Sequence, residues 1–359
     1  MFNMKNLFPG SKQVVGLDIG SSSLKLAEIL ETPKGYLLNN FSRIPLPMGV
    51  IVDGAVVEQE QLTERIKKLF KYAGCKQKKI VTSLSGHSVI IKKVSFPAMD
   101  EVELRDLIAD EAGKYLPFDS MEEVNFDFQT LGENEFNPNQ LDVLLVAAKK
   151  DIIAGYTEAV KNAGLSVVIM DVDSFALETM YEENYDYEDN DVDVLVNIGA
   201  SITNINAVKN GTSILTRNFP LGGNAITEAI GEKLGITFEE AEKIKIGGIE
   251  DDEPAKNEFR GSVLAYADPL CSEIERSIDY IRSTYRGESV KHILLSGGSA
   301  KIPGITDELS KRLNIETEVV NSFKKIDFNG KKMDSDSLES IAPLAAVVVG
   351  LALRRKGDK

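Results

Sequence analysis

The chain has 359 residues, 43% apolar and 27% charged, which is enough for two or more domains around a sizeable core. A formal net charge of −15 argues against nucleic acid or an anionic bilayer as a broad-surface partner, since both reward basic patches. Cys75 and Cys271 lie far apart and His87 and His292 are the two histidines, so neither a disulfide scaffold nor a Cys/His zinc site is expected and a reducing compartment fits.

Residues 1–12 lack the apolar run of a secretory leader, and Phe2, Leu7 and Phe8 are expected to fray. Residues 14–29 then read as a hairpin: an apolar run ends on Asp18, Gly20 permits a tight turn, Ser21, Ser22 and Ser23 follow, and a second β-prone run carries Lys25. Backbone N–H groups and small hydroxyls at such a turn can approach a polyphosphate, Lys25 adds a point charge, and Asp18 can hold a hydrated Mg²⁺. An ordinary hairpin would look the same. A strand is expected over 36–44, stopped by Pro45 and Pro47. Leu62, Ile66, Leu69 and Phe70 mark an amphipathic helix over 59–73, closed by Gly74, and 79–84 is the returning strand.

Between 85 and 153 a strand (89–96), a helix (100–116) and two strands (126–128 and 142–148) around a polar loop suit a small inserted unit. A helix over 150–163, stopped by Gly164, and a strand over 167–171 lead to a helix start at Asp173. Asp173 reads there as an N-cap. Residues 181–193 are acidic without apolar periodicity, which predicts a solvated connection.

The second half repeats the first hairpin. In Val196-Asn197-Ile198-Gly199-Ala200-Ser201-Ile202-Thr203, Asn197 falls on Asp18, Gly199 on Gly20 and Ser201 on Ser22. Two such turns facing a shared cleft would grip a phosphate chain from both sides. After a strand over 212–219, Gly222 and Gly223 turn into a helix, and the charged stretch 238–246, with Glu242 and Lys243, forms another. A helix over 268–285 precedes a strand running into Gly297-Gly298-Ser299, with Ile302 just beyond, where bare backbone lets a base or sugar lie close. The apolar run 341–353 falls short of the roughly 20 residues a bilayer span needs. It is expected to be a buried helix with Pro343 in its first turn.

The two glycine hairpins and the strand-Gly-Gly stretch, in this order, resemble the actin-like ATPase superfamily, and the combined motifs are similar to the PilM family, FtsA-like components of type IV pilus assembly. The resemblance implies an α/β fold with two duplicated domains around a nucleotide cleft: first domain 1–84 and 154–190, FtsA-type insertion 85–153, second domain 191–340, and a C-terminal helix 341–359 packing back on the first domain. It implies ATP and Mg²⁺ as ligands. Gly20–Lys25 would form the first phosphate loop, Gly199, Ala200, Ser201 and Thr203 the second, and Gly297–Ser299 the adenosine loop, with Asp18 and Asn197 meeting the metal through water, and Glu242 and Lys243 on the helix that relatives turn toward ribose and adenine. Asp173 falls where DnaK-type relatives carry a glutamate near the attacking water, which makes it a general base as readily as an N-cap. The family also implies a cytoplasmic protein, held at the inner membrane by the N-terminal cytoplasmic peptide of PilN. The absence of an anchoring tail after 354–359 favours this family over FtsA. Asn197 replaces a metal-orienting aspartate of many relatives, so slow or absent hydrolysis is expected. A polymerising cytoskeletal ATPase and a small-molecule kinase of the same superfamily are the alternatives; a Walker P-loop is absent.

Overall fold

The computed structural model describes residues 14–86, 89–118, 120–134, 137–186, 191–247, 253–285, 289–328 and 335–355, with no account of side chains over 253–262. The expectations for residues 1–12, and for His87, lie outside the described residues.

The first lobe opens with β1 (Val15–Ile19), β2 (Ser23–Thr32) and β3 (Gly35–Pro45), then a two-residue-strand hairpin β4 (Ile51–Val52) and β5 (Ala55–Val56), α1 (Gln59–Ala73) and β6 (Lys79–Leu84). Next come β7 (Val89–Pro97), α2 (Glu101–Tyr115), β8 (Val124–Asn134) and β9 (Asn137–Lys149), which form their own three-stranded sheet in the order β7-β9-β8. Here β8 and β9 reach well into the expected polar loop. Leu104, Ile108 and Ala112 of α2 bury against this sheet, so the inserted unit has a core of its own. The chain returns through α3 (Lys150–Asn162), β10 (Ser166–Val172) and α4 (Asp173–Asn184).

The second lobe comprises β11 (Val192–Ile198), β12 (Thr203–Lys209), β13 (Thr212–Phe219), α5 (Gly223–Leu234), α6 (Phe238–Lys245), α7 (Glu253–Thr284), β14 (Val290–Ser296), α8 (Ile305–Leu313) and β15 (Glu316–Val319). The helix expected from 268 begins fifteen residues earlier and runs through Pro269. β16 (Ile326–Phe328) lies within the stretch assigned to the second half, yet pairs in parallel with β3 of the first sheet. Finally α9 (Ser335–Ile341) and α10 (Ala346–Leu353) flank a 3-10 turn, Ala342–Ala345, which is where Pro343 sits.

The duplication read from two hairpins extends to both sheets. The first runs β10-β6-β1-β2-β3-β16 and the second β15-β14-β11-β12-β13, so each has an antiparallel three-strand meander followed by two parallel strands. The extra edge strand β16 is the one difference in order.

Two expectations fail inside α4. Tyr181 is fully buried and Tyr185 nearly so; their rings stack 5.6 Å apart and the Tyr181 hydroxyl bonds Asp193, so this end of the acidic stretch is core, not solvated linker. No apolar stripe announced it because α4 lies between lobes and buries residues on several faces. Residues 187–190 of that stretch lie outside the described residues. The N-cap reading of Asp173 also fails: Val172 takes the cap position without a side-chain bond, and Asp173 is the first helical residue.

Ser335–Leu353 is, among the described residues, the one helical stretch long and apolar enough to cross a membrane by composition. Here 67% of its most apolar window is buried inside the protein, and Ala346 to Leu353 are buried without exception, between α4 and the β1–β2 face. Arg354 closes this segment with a bidentate contact to Asp171 at the end of β10, Nε to Oδ2 at 2.6 Å.

Candidate functional site

Both glycine turns close in the same way. Gly20 N donates to Ser23 O at 3.2 Å and Gly199 N to Ile202 O at 3.0 Å. The tips then meet: Ser201 Oγ donates to Ser21 Oγ at 3.0 Å across 180 residues of sequence. They line one cavity of about 290 Å³, together with Asp18, Ser22, Ser23, Lys25, Asp173, Asn197, Ala200, Glu242, Gly297, Gly298 and Ser299. Most of the residues singled out from the sequence are therefore neighbours in space.

Five are not on its wall. Thr203 is fully buried, its hydroxyl donating to Leu221 O at 2.7 Å. Gly222 and Gly223 lie behind the second turn, where Gly223 N donates to Gly199 O at 2.9 Å and Asn224 N to Ala200 O at 2.8 Å. The first amides of α5 thus hold the turn rather than facing the cavity. Ile302 is core. Lys243 is displaced by Lys245, which does line the cavity while being only 3% exposed; its ammonium donates to Gly223 O at 3.0 Å, Thr227 Oγ1 at 2.9 Å and Glu242 Oε2 at 2.6 Å. Burial pushes the Lys245 ammonium below its ordinary range while Glu242 pulls it back. Lys245 shares the buried face of α6 with Ala241, four residues before it.

Other wall residues went unpredicted: Arg43, Tyr156, Asn204, Asn224, Phe238, Leu344 and Val347. Leu344 and Val347 belong to the segment expected merely to pack as a buried helix; the turn before α10 reaches the cavity because Gly297 N donates to Pro343 O at 2.7 Å. Gly297 has φ +87°, and a Cβ there would lie 2.3 Å from Ile198 O, so only glycine permits this approach.

The two hairpins carry opposite electrostatics on one geometry. Asp18 faces Lys25 across β1–β2, with Nζ to Oδ2 at 2.7 Å and side chains 10% and 14% exposed respectively. At the matching register, Asn197 faces Asn204 and Asn204 faces Asn218, and the amides form a ladder. Asn197 Nδ2 donates to Asn204 Oδ1 at 3.2 Å, Asn204 Nδ2 to Asn218 Oδ1 at 2.8 Å, and Asn218 Nδ2 to Gly86 O of the first lobe at 3.4 Å. Ser296 Oγ feeds its other end, reaching Asn197 Oδ1 at 3.3 Å.

Asp173 accepts from Ser83 Oγ at 2.5 Å. Burial, reinforced by the Asp18 charge, pushes its carboxyl up to about 7, against the pull of Ser83, Ser85 and Lys25. Burial likewise pushes the nearby Tyr156 phenol well above its ordinary range. Because native Asp173 holds its proton to higher pH than the unfolded chain does, the fold loses stability as pH rises from about 4 through 7. Asp173→Asn is expected to flatten that slope and to be more stable than the parent at pH 8 by about 1–3 kcal/mol, with the difference closing below pH 4; urea titrations across pH check this.

The residues present fit a magnesium nucleotide. Turn amides, serine hydroxyls and Lys25 suit phosphate oxygens. No group of three or more His, Cys, Asp or Glu side chains forms a metal cage among the described residues. Asp18 on the cavity wall suits an ion that keeps most of its waters and takes its remaining ligands from phosphate, as Mg²⁺ does.

Comparison with known proteins agrees with this geometry. A family model described as type IV pilus assembly protein PilM matches residues 16–356. A solved structure, the PilM-PilN type IV pilus biogenesis complex, is 30% identical with a TM-score of 0.84, covering 95% of this chain and 98% of that one. Cell division protein FtsA of Bacillus subtilis (strain 168) is 23% identical over 335 residues, 81% of this chain and 74% of FtsA. MreB5 of Spiroplasma citri bound to ADP shares the fold, with 13% identity, a TM-score of 0.52 and 95% coverage of each chain.

Proposed function

Since the chain belongs to the family of type IV pilus assembly protein PilM and has the actin-like ATPase fold, we propose that it is an ATP-binding adaptor of the pilus assembly platform, joined to the membrane through PilN. The observation that carries the nucleotide part of this reading is the meeting of the two serine-bearing turns, 3.0 Å apart, over one cavity. A triphosphate placed there touches both lobes, so occupancy biases their relative orientation by as much as it prefers one arrangement.

In this reading Asp18, Lys25 and the serine turns bind phosphate and hydrated Mg²⁺, while Gly297 to Ser299, Glu242 and Lys245 border the nucleoside. The bound metal would supply charge neutralisation at the phosphates. Asn197 leaves the second turn neutral where a carboxylate would orient metal-bound water, and Asp173 spends its oxygens on Ser83 and Ser85. Both features favour retention of ATP over its hydrolysis. The partner side rests on the similar solved structure being a PilM-PilN complex. The N-terminal cytoplasmic peptide of PilN is the proposed ligand. Through it the protein would sit on the cytoplasmic face of the inner membrane.

Linkage supplies the test. Calorimetric titration of the peptide with and without Mg-ATP, and of Mg-ATP with and without the peptide, is expected to show each tightening the other about tenfold. Equal affinities in both pairs of titrations would replace the switch by a static, nucleotide-stapled scaffold.

A further inference from the structure

We propose that Arg43 is the residue that distinguishes a nucleoside triphosphate from a diphosphate in this cleft, by supplying the positive charge for the terminal phosphate. The inference rests on the nucleotide reading of the cleft and deepens it.

Asp18, Lys25 and Arg43 occupy directly opposed positions on β1, β2 and β3, so their side chains leave the same face of the sheet in one row. All three line the cavity. The inner two neutralise each other at 2.7 Å, which leaves the Lys25 charge largely spent on Asp18. Lys245, the other cavity cation, is bound to Glu242 at 2.6 Å. Arg43 is exposed, and among the described residues it makes no hydrogen bond or ion pair. A triphosphate brings more negative charge than a single Mg²⁺ offsets, and the guanidinium fork suits a terminal phosphate with its three free oxygens.

The duplicated lobe sharpens the contrast. The position matching Arg43 there is Asn218, whose amide is committed to Gly86 O and to Asn204. One row therefore ends in an exposed cation on the cavity wall and the other in a neutral clamp between lobes. The phosphate-reading role falls to the first lobe.

The test is calorimetric binding of Mg-ATP and Mg-ADP to the intact protein and to Arg43→Ala and Arg43→Lys. As an exposed side chain without structural partners, Arg43 can be changed without a folding penalty, which a thermal melt verifies. The expected result is a tenfold or greater loss of ATP affinity in Arg43→Ala, less than twofold change for ADP, and partial recovery of ATP affinity in Arg43→Lys. Equal weakening of both nucleotides, or none, overturns the role of Arg43 while leaving the cleft a nucleotide site. Failure of the unaltered protein to bind either nucleotide overturns the reading of the cleft itself, and the proposal with it.

Discussion

Replacing Gly350 by alanine is expected to cost about 3 kcal/mol or more, a large fraction of the stability of an ordinary domain. The reason is the closeness of α10 to α4. A Cβ at Gly350 would lie 1.7 Å from the carbonyl oxygen of Ala176 and 2.5 Å from its carbon, both backbone atoms that cannot swing aside. The opposite face of α10 is equally tight, since a Cβ at Gly16 would lie 2.5 Å from Val348 O and 2.7 Å from Ala352 N. Relieving either contact means prising α10 away from a core containing Val347, Val348, Val349 and Leu351. Overpacking of this kind is costlier than the usual extra methylene because no rotamer change relieves it. Gly35→Ala is the control: φ is +113°, so some backbone strain arises, but nothing lies within 4 Å, and about 1 kcal/mol is expected. Denaturant midpoints for the three variants Gly350→Ala, Gly16→Ala and Gly35→Ala check the order; comparable midpoints would show that α10 is far looser than described.

Asn197→Asp is expected to abolish most of the mutual tightening between Mg-ATP and the peptide, a change of about tenfold, while raising ATP turnover. The direction of the asparagine ladder is the cause. Each amide donates to the next, ending with Asn218 Nδ2 on Gly86 O. An aspartate at 197 has no amide to give, so Asn204 must turn its Nδ2 toward the new carboxylate. Its Oδ1 then faces Asn218, which must turn in the same way, and that leaves Asn218 Oδ1 against Gly86 O, acceptor against acceptor. A contact between lobes becomes a repulsion. The added carboxylate meanwhile restores a negative group beside the second turn, where it can orient metal-bound water. Asn218→Ala separates the two effects: it removes the clamp without adding charge, so coupling falls while turnover stays low. Undiminished coupling in both variants would show that the ladder carries no information between lobes.

The cleft was legible because its turns are local. Gly20 and Gly199 each close their turn on a carbonyl three residues ahead, and the repetition of Asp18-Ile19-Gly20 as Asn197-Ile198-Gly199 could be read without knowing where either half lies. The phase of α6 was not local. Choosing Lys245 over Lys243 required knowing which face of an eight-residue helix meets α5, and a pattern of five charges in eight positions does not say. Tyr181 and Tyr185 were misread for a related reason: acidic neighbours suggested solvent, whereas packing between two lobes buried the rings and bonded Asp193 to Tyr181.

By itself the sequence determined the turn chemistry, the duplicated glycine hairpin and the neutral Asn197 where a relative would carry a charge, since each depends on residue identity within a few positions along the chain. Tertiary structure alone decided that Asn218 reaches Gly86, that Leu344 and Val347 border the cavity and that Arg43 stands in line with Asp18. Those relations are set by strand register and by contacts between segments far apart in sequence, and no short-range propensity encodes them.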